Sequence, residues 1–257
     1  MKRYYCWSGG KDSSASIIVG NEMGLDCDGV IMSEVMFSHK ENISGENPKH
    51  IEWVYNEAIP IIEKMGYKVI IVKAKKDFLD YFYLVRGERS KYTGKLAGFP
   101  LVGRGKCEIK KPLKLRPMQE FFKGVGECEQ IVGICADEKE RLLSLAGGGG
   151  KRSVLAENGI AEKSCFDICR SKNLLSPYYD GEERQGCWFC PNQRVCTLAK
   201  LAKEQPHLWQ RMCVLAETPN LVNYNFKPNV SFESIKRQVE RINNQINIFD
   251  YLKELGL

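Results

Sequence analysis

The sequence predicts an α/β fold over its first half, a parallel sheet with helices on both faces, followed by a helical, cysteine-bearing extension. Three observations carry that expectation. Short β-rich runs alternate with helix-like runs up to about residue 145, and strands that alternate with helices imply right-handed crossovers and a parallel sheet. Beyond residue 146 helical segments dominate. At 257 residues and 43% hydrophobic content the chain can bury a sizeable core and is not disordered.

Taken in order, "KRYYCWS" (2–8), "GVIMSE" (29–34), "KVIIVKA" (68–74) and "EQIVGICA" (129–136) read as strands, most of them buried on both faces. The clearest helix lies between the second and third. Asn47 can cap it, Pro48 suits its first turn and Gly66 can end it. Ile51, Val54, Ala58, Ile62 and Met65 fall on one face at helical spacing. "AGGGGKRS" (146–153) is expected to be a solvated linker, an ordered ligand loop being the alternative. The domains are therefore expected to be 1–145, a nucleotide-binding α/β domain, and 146–257, a helical region. Helices are expected over 161–172, 193–204, 206–217 and 231–254, the last capped from "PNVSFES". No internal repeat is evident.

Composition bounds the function. A net charge of +6 is a mild basic excess that suits an anionic ligand and is too small to call for DNA or tRNA. The N-terminus lacks a signal-peptide pattern, and no apolar run approaches the roughly 20 residues of a membrane span. A cytoplasmic protein is expected, without a membrane partner and free to form a homodimer. Eleven cysteines in such a setting are reduced thiols or metal ligands, not a disulfide framework.

The stretch "YYCWSGGKDSSAS" (4–16) carries the first functional argument. A hairpin turn would need a second strand at once, yet "SSASIIVGNEMG" reads as a helix. A strand, a glycine pair and hydroxyls at a helix start form an anion site, since backbone N–H groups and the helix N-terminus both offer positive charge. Lys11 adds a full charge, and Ser8, Ser13 and Ser14 can donate hydrogen bonds. Asp12 would repel phosphates unless a cation such as Mg²⁺ intervenes. The spacing fits neither the Walker loop nor the G-x-G-x-x-G fingerprint.

"SGGKDSS" resembles the pyrophosphate loop of the ATP pyrophosphatase (PP-loop) superfamily, which includes the phosphoadenosine phosphosulfate (PAPS) reductases. In that superfamily the loop, here Ser8, Gly9, Gly10, Lys11, Asp12, Ser13 and Ser14, wraps the terminal phosphates of ATP or the phosphate of a sulfonucleotide. The resemblance implies a five-stranded, Rossmann-like sheet of the adenine nucleotide α-hydrolase type. "GICADEKERL" (133–142) looks like the reductase segment in which a strand is followed by an acid and an arginine. "CEIKKPLKLRPM" (107–118) resembles that family's cysteine, basic run and proline, and "GCWFCPNQ" (186–193) is similar to a signature of reductase-like proteins of bacteria and phages. These matches run from residue 4 to about residue 210.

The family's adenine site places Met32, Ser33 and Glu34 at the base or ribose, Glu34 being equally readable as an ordinary residue. Arg104, Lys106, Lys111, Lys114 and Arg116 form either a solvated basic loop or a surface for an anionic substrate. Asp137, Glu138 and Arg141 follow the fourth strand, and Arg141 is a candidate catalytic residue with Lys11 and Asp12, a structural ion pair being its alternative. Histidine offers no base, because His39, His50 and His207 fall outside every motif.

Cys187 and Cys190 make a C-x-x-C knuckle, Cys196 follows, and Cys107 supplies a fourth thiolate, a set suited to Zn²⁺ or a [4Fe–4S] cluster. The resemblance favours the cluster. The assimilatory reductases have a Cys-Cys pair where this chain has Lys106-Cys107, which leaves the fourth ligand open. Cys6, Cys165, Cys169 and Cys213 read as core residues. The expected activity is adenylation of a substrate oxygen with pyrophosphate release. The rivals are sulfonucleotide reduction, for which the family's C-terminal E-C-G-x-H cysteine has no counterpart in "IFDYLKELGL", and a non-catalytic nucleotide-sensing module.

Overall fold

The computed structural model describes residues 1–103, 106–146, 149–180 and 186–245. The chain forms two compact units, and neither is continuous in sequence. Met1–Asp77 joins Lys111–Gln185 in the first, and Phe78–Lys110 joins Gly186–Leu257 in the second. The expected boundary at 145/146 is corrected: the segment after residue 150 supplies a strand and two helices to the first unit.

Five parallel strands build the first unit: β1 (Lys2–Trp7), β2 (Gly29–Glu34), β3 (Val69–Lys73), β4 (Cys128–Val132) and β5 (Lys151–Arg152). Their order across the sheet is β5–β4–β1–β2–β3. Tyr4 aligns with Gly29, Lys2 with Cys128, Val30 with Val69 and Lys151 with Gln130. The stretch expected to be a linker thus contains the edge strand. It escapes a hydrophobicity reading because it has two residues, both basic, and stands where charged side chains protect an edge.

Alternation along the strands sorts the two faces. Tyr5, Trp7, Val30, Met32 and Ile131 join one core with Ile17 and Ile18 of α1 (Lys11–Glu22). The same core takes Val54, Ala58 and Ile62 from the helix between β2 and β3, and Val154, Leu155, Cys165 and Cys169 from beyond β5. On the other face Tyr4, Ile31, Ile70 and Val72 meet Met118, Phe121, Phe122 and Val125. Helices therefore cover both faces of the sheet, as expected.

The helix between β2 and β3 comprises α2 (Pro48–Trp53), a wider π turn (Val54–Ala58) and α3 (Ile59–Lys64). The Asn47 side chain accepts the Lys49 N–H at 3.0 Å. Pro60 has no N–H to give back to the preceding turn, and the backbone widens there. The remaining helices are α4 (Arg116–Val125), entered through a π turn at Lys111–Leu115, then α5 (Lys139–Ala146), α6 (Val154–Glu157) and α7 (Ser164–Ser171).

The second unit is not purely helical. Leu96–Gly98 pairs in parallel with Leu221–Asn223, and Val102–Gly103 and Asn225–Lys227 form short antiparallel pairs. Its helices are Phe78–Phe82, Val195–Glu204, Pro206–Ala216 and Phe232–Asn244, the last capped by Ser231 as expected. The extension expected to 254 runs into 246–257, outside the described residues. Phe99 packs against Phe82, Phe226 and Phe232 with ring centroids 5.3, 5.5 and 5.8 Å away. No helix among the described residues is long and apolar enough to cross a membrane.

Candidate functional site

The strand order reverses between β1 and β4: β2 and β3 lie to one side, β4 and β5 to the other. At such a reversal the loops leaving the strands' carboxyl ends diverge and open a crevice where ligands bind. Ser8–Gly10 leaves β1 there, and Gly133–Asp137 leaves β4. Gly133 of the second loop touches the first turn of α1. A Cβ built on Gly133 would lie 2.6 Å from the Ser13 nitrogen, so only glycine lets the backbones approach this closely. Gly9 has φ +72°, and a Cβ there would meet the His50 ring at 2.4 Å.

Three of the loop's amides donate to side-chain hydroxyls, and the Ser14 N–H donates to Gly10 O at 3.0 Å as α1 begins. Ser8 N–H donates to Ser13 Oγ (3.2 Å), Gly10 N–H to Ser8 Oγ (3.3 Å) and Lys11 N–H to the Tyr179 hydroxyl (3.1 Å). Ser13 Oγ donates to Gly10 O at 2.9 Å, and Ser14 Oγ accepts the Trp7 indole N–H at 2.9 Å. Helix α1 starts at Gly10 without a side-chain cap. Its first turn keeps the partial positive charge an anion prefers.

Lys11 is buried, 5% exposed. Its ammonium donates to Asp12 Oδ1 at 2.9 Å and to Glu162 Oε1 at 2.6 Å, and lies 5.4 Å from the centre of the Phe166 ring. Burial alone would lower its pKa, but its hydrogen bonds to the Glu162 and Asp12 carboxylates outweigh it and raise the lysine above its ordinary value. Asp137 accepts the Glu162 N–H at 3.1 Å, which ties the β4 loop to the same ion pair.

Behind Asp12 lie three thiols. Cys135 Sγ is 3.5 Å from Cys165 Sγ and 3.7 Å from Asp12 Oδ1, and Cys169 Sγ donates to Lys11 O at 3.1 Å. All three cysteines are fully buried. The hydrogen bond with Cys165 and burial hold the Cys135 thiol far above its usual range, and burial pushes Cys169 up to about 12. Cys165 and Cys169 are core residues, as expected, but they also border the loop.

Ser33 and Glu34 end β2, both buried. Ser33 Oγ is buried with no hydrogen-bond partner among the described residues. Glu34 Oε2 accepts the Tyr55 hydroxyl at 2.6 Å and the Lys73 ammonium at 2.9 Å. The basic cluster divides: Lys106 belongs to the second unit, whereas Lys111, Lys114 and Arg116 belong to the first. Arg104 lies outside the described residues. Lys114 is close enough to His50 to disfavour its protonation. Arg141 pairs with Glu138 at 2.5 Å on a largely exposed surface.

Sequence reasoning missed His50, Glu162 and Tyr179. His50, set aside as outside every motif, is 1% exposed and stands against Gly9. Its Nδ1 is 2.9 Å from Ser176 Oγ, and its ring stacks on Trp53 at 5.8 Å. Burial, with Lys114 adding to it, lowers its pKa to about 4 against a backbone hydrogen bond at Ser8. No local pattern marks these residues, because each reaches the loop from a distant segment.

The four predicted thiolate ligands all belong to the second unit. Cys190 N–H donates to Cys187 O at 2.9 Å, closing the C-x-x-C turn, and Gln193 Nε2 donates to the same carbonyl at 2.7 Å. Cys196 is exposed in the first turn of Val195–Glu204, and Cys107 ends the short strand Lys106–Cys107. The Lys227 ammonium donates to Pro191 O at 2.8 Å and to Gln193 O. Among the described residues, Asp12, Cys135 and Cys165 form a group of metal-capable donors whose ligand atoms all lie within 4.8 Å.

Comparison of the chain with protein-family models, curated proteins and solved structures gives no significant match.

Proposed function

We propose that the first unit binds an adenine nucleotide, ATP or a sulfonucleotide, and acts as a PP-loop enzyme that adenylates a substrate oxygen. The observation that carries this reading is the uncapped start of α1, set at the strand-order reversal with Gly9, Gly10 and the Lys11 ammonium around it. The Ser8 and Gly10 amides engage serine hydroxyls, which can turn away about χ1 when phosphate oxygens compete for the same donors. The buried hydroxyl of Ser33 favours a partner at the end of β2, where adenosine lies in the family this loop resembles. A polar atom left alone in a core costs about 1–3 kcal/mol, which a ligand hydrogen bond would recover.

In the reaction the substrate oxygen forms a bond to the α-phosphorus while the bond from that phosphorus to the β-phosphate oxygen breaks. Pyrophosphate leaves with the electron pair. The residues of this chain supply positioning and charge: the loop N–H groups and Lys11 face the charge that grows on the departing phosphates. Arg141, whose side chain is largely exposed, is less suited to that task than the buried Lys11 at the start of α1.

A magnesium ion carried by the nucleotide would take its oxygen ligands from the phosphates and the Asp12 carboxylate, and not from the thiols on the other side of Asp12. In the second unit Cys107, Cys187, Cys190 and Cys196 are an all-sulfur set, chemistry that fits a [4Fe–4S] cluster or Zn²⁺. Such a group would supply either a structural staple or one-electron chemistry.

Calorimetry with ATP, and a pyrophosphate-release assay over candidate substrates, test the reading. Lys11→Ala is expected to lose on the order of 2–4 kcal/mol of transition-state stabilisation. Unchanged turnover in that variant would remove the assignment. Sulfite release from a sulfonucleotide would favour the reductase reading, and binding without turnover the sensing module.

A further inference from the structure

We propose that Asp12, Cys135 and Cys165 form a site for a thiophilic divalent cation such as Zn²⁺. The three donors come from separate segments: the first turn of α1, the loop leaving β4 and the first turn of α7. Bond lengths of about 2.3 Å to sulfur and about 2.0 Å to oxygen give a tetrahedral zinc site edges of about 3.8 Å between sulfurs and about 3.5 Å from sulfur to oxygen. The corresponding separations here are 3.5 Å, Cys135 Sγ to Cys165 Sγ, and 3.7 Å, Cys135 Sγ to Asp12 Oδ1. Two of the three edges therefore match a tetrahedral zinc site, and the third, between Cys165 and Asp12, lies within 4.8 Å.

Their supports are in place as well. Gly133 seats the β4 loop on the Asp12–Ser13 backbone. Ser153 Oγ donates to Ile134 O at 2.5 Å, and Cys135 N–H donates to Glu138 Oε2 at 3.0 Å. Groups that hold metal ligands in position in this manner matter to affinity nearly as much as the ligands do.

Charge decides between a metal site and a pair of packed thiols. When Zn²⁺ enters, both thiols lose their protons to the buffer, and the ion with two thiolates and one carboxylate carries a net charge of −1. Lys11 is shared between Asp12 Oδ1 at 2.9 Å and Glu162 Oε1 at 2.6 Å, and exchange of two thiol protons for one divalent ion leaves the net charge around it unchanged. Three protein donors leave a fourth position, and the Asp12 side chain, 25% exposed, faces the side from which an oxygen ligand could enter. This site does not depend on the nucleotide reading.

The test is equilibrium dialysis against Zn²⁺ alone, with metal analysis, on the full chain carrying Cys187→Ser and Cys190→Ser so that the second-unit knuckle does not contribute. One tightly held equivalent is expected, with sulfur and oxygen neighbours in its X-ray absorption spectrum. Adding Cys135→Ala or Cys165→Ala should weaken binding by at least about tenfold, and the near-isosteric Asp12→Asn by about tenfold. Absence of that equivalent overturns the site, as does equal Zn²⁺ affinity in Asp12→Asn, a variant that keeps the core thiols and the fold. Nucleotide is omitted throughout, so a negative result here leaves the ATP calorimetry to stand or fall separately.

Discussion

The ammonium of Lys11 lies 2.6 Å from the carboxylate of Glu162, a residue 151 positions away in sequence. The pair places an acidic side chain where the phosphates of a nucleotide would need positive charge. Glu162 is about half exposed and Lys11 is buried, so the carboxylate can swing into solvent while the ammonium cannot follow.

Replacing Glu162 by Gln should therefore tighten ATP binding. Removing a competitor for one buried ammonium is expected to be worth about 0.5–1.5 kcal/mol, a gain of about 2- to 12-fold in affinity by calorimetry. Stability should change by less than about 1 kcal/mol, because an ion pair with one exposed partner adds little to folding. Weaker binding in Glu162→Gln would mean that the carboxylate helps to hold the ligand.

Gly133→Ala should be strongly destabilising. The added methyl would meet the backbone of Asp12 and Ser13 at 2.6–2.7 Å, and backbone cannot rotate away as a side chain can. Overpacking of this kind costs about 1–3 kcal/mol, and here it also lifts the β4 loop off α1. Urea unfolding reads the first effect. Loss of Zn²⁺ binding in the folded fraction reads the second.

Stability should fall as the pH drops through the range set by His50. Its folded pKa, about 4, lies below the ordinary 6.5, so the unfolded chain takes up the proton first. The neutral ring's contribution is complete above pH 6.5 and is lost progressively down to about pH 4. The loss is on the order of 3 kcal/mol. Denaturant unfolding at pH 7 and pH 4.5 should show this slope in the natural chain and a flatter one in His50→Gln. Equal slopes would place the titration elsewhere.

Lys227→Met tests the loop that presents Cys187 and Cys190. The Lys227 ammonium donates to two carbonyls of that loop, at Pro191 and Gln193, and burial lowers its pKa. Loss of a charged hydrogen-bond donor costs about 1.5–3 kcal/mol. The variant should unfold at lower urea and should show faster alkylation of Cys187 and Cys190 by mass spectrometry. Unchanged alkylation would mean that the turn from Cys190 N–H to Cys187 O holds the knuckle by itself.

The four long strands were legible because each carries apolar or β-branched residues, fully buried at Val30–Met32 and half-buried along Val69–Val72. The Asn47–Pro48 start of α2 was equally plain, since capping is a local event. Lys151–Arg152 was not, because an edge strand of two basic residues has no hydrophobic pattern to show. The division of units was hidden for another reason. The chain leaves the first unit after Asp77 and rejoins it at Lys111, and contacts between distant segments leave no mark on local composition.

By itself the sequence determined the α/β class, the loop from Ser8 to Ser14 and the start of a helix behind it, because backbone preferences and hydrophobic periodicity act over a few residues. Only the tertiary structure decided what surrounds that loop. It brought Glu162 to Lys11, His50 to Gly9, and Cys135 and Cys165 to Asp12. Those meetings depend on which strands pair and how helices stack on them, and side chains more than 30 residues apart become neighbours only once the sheet has formed.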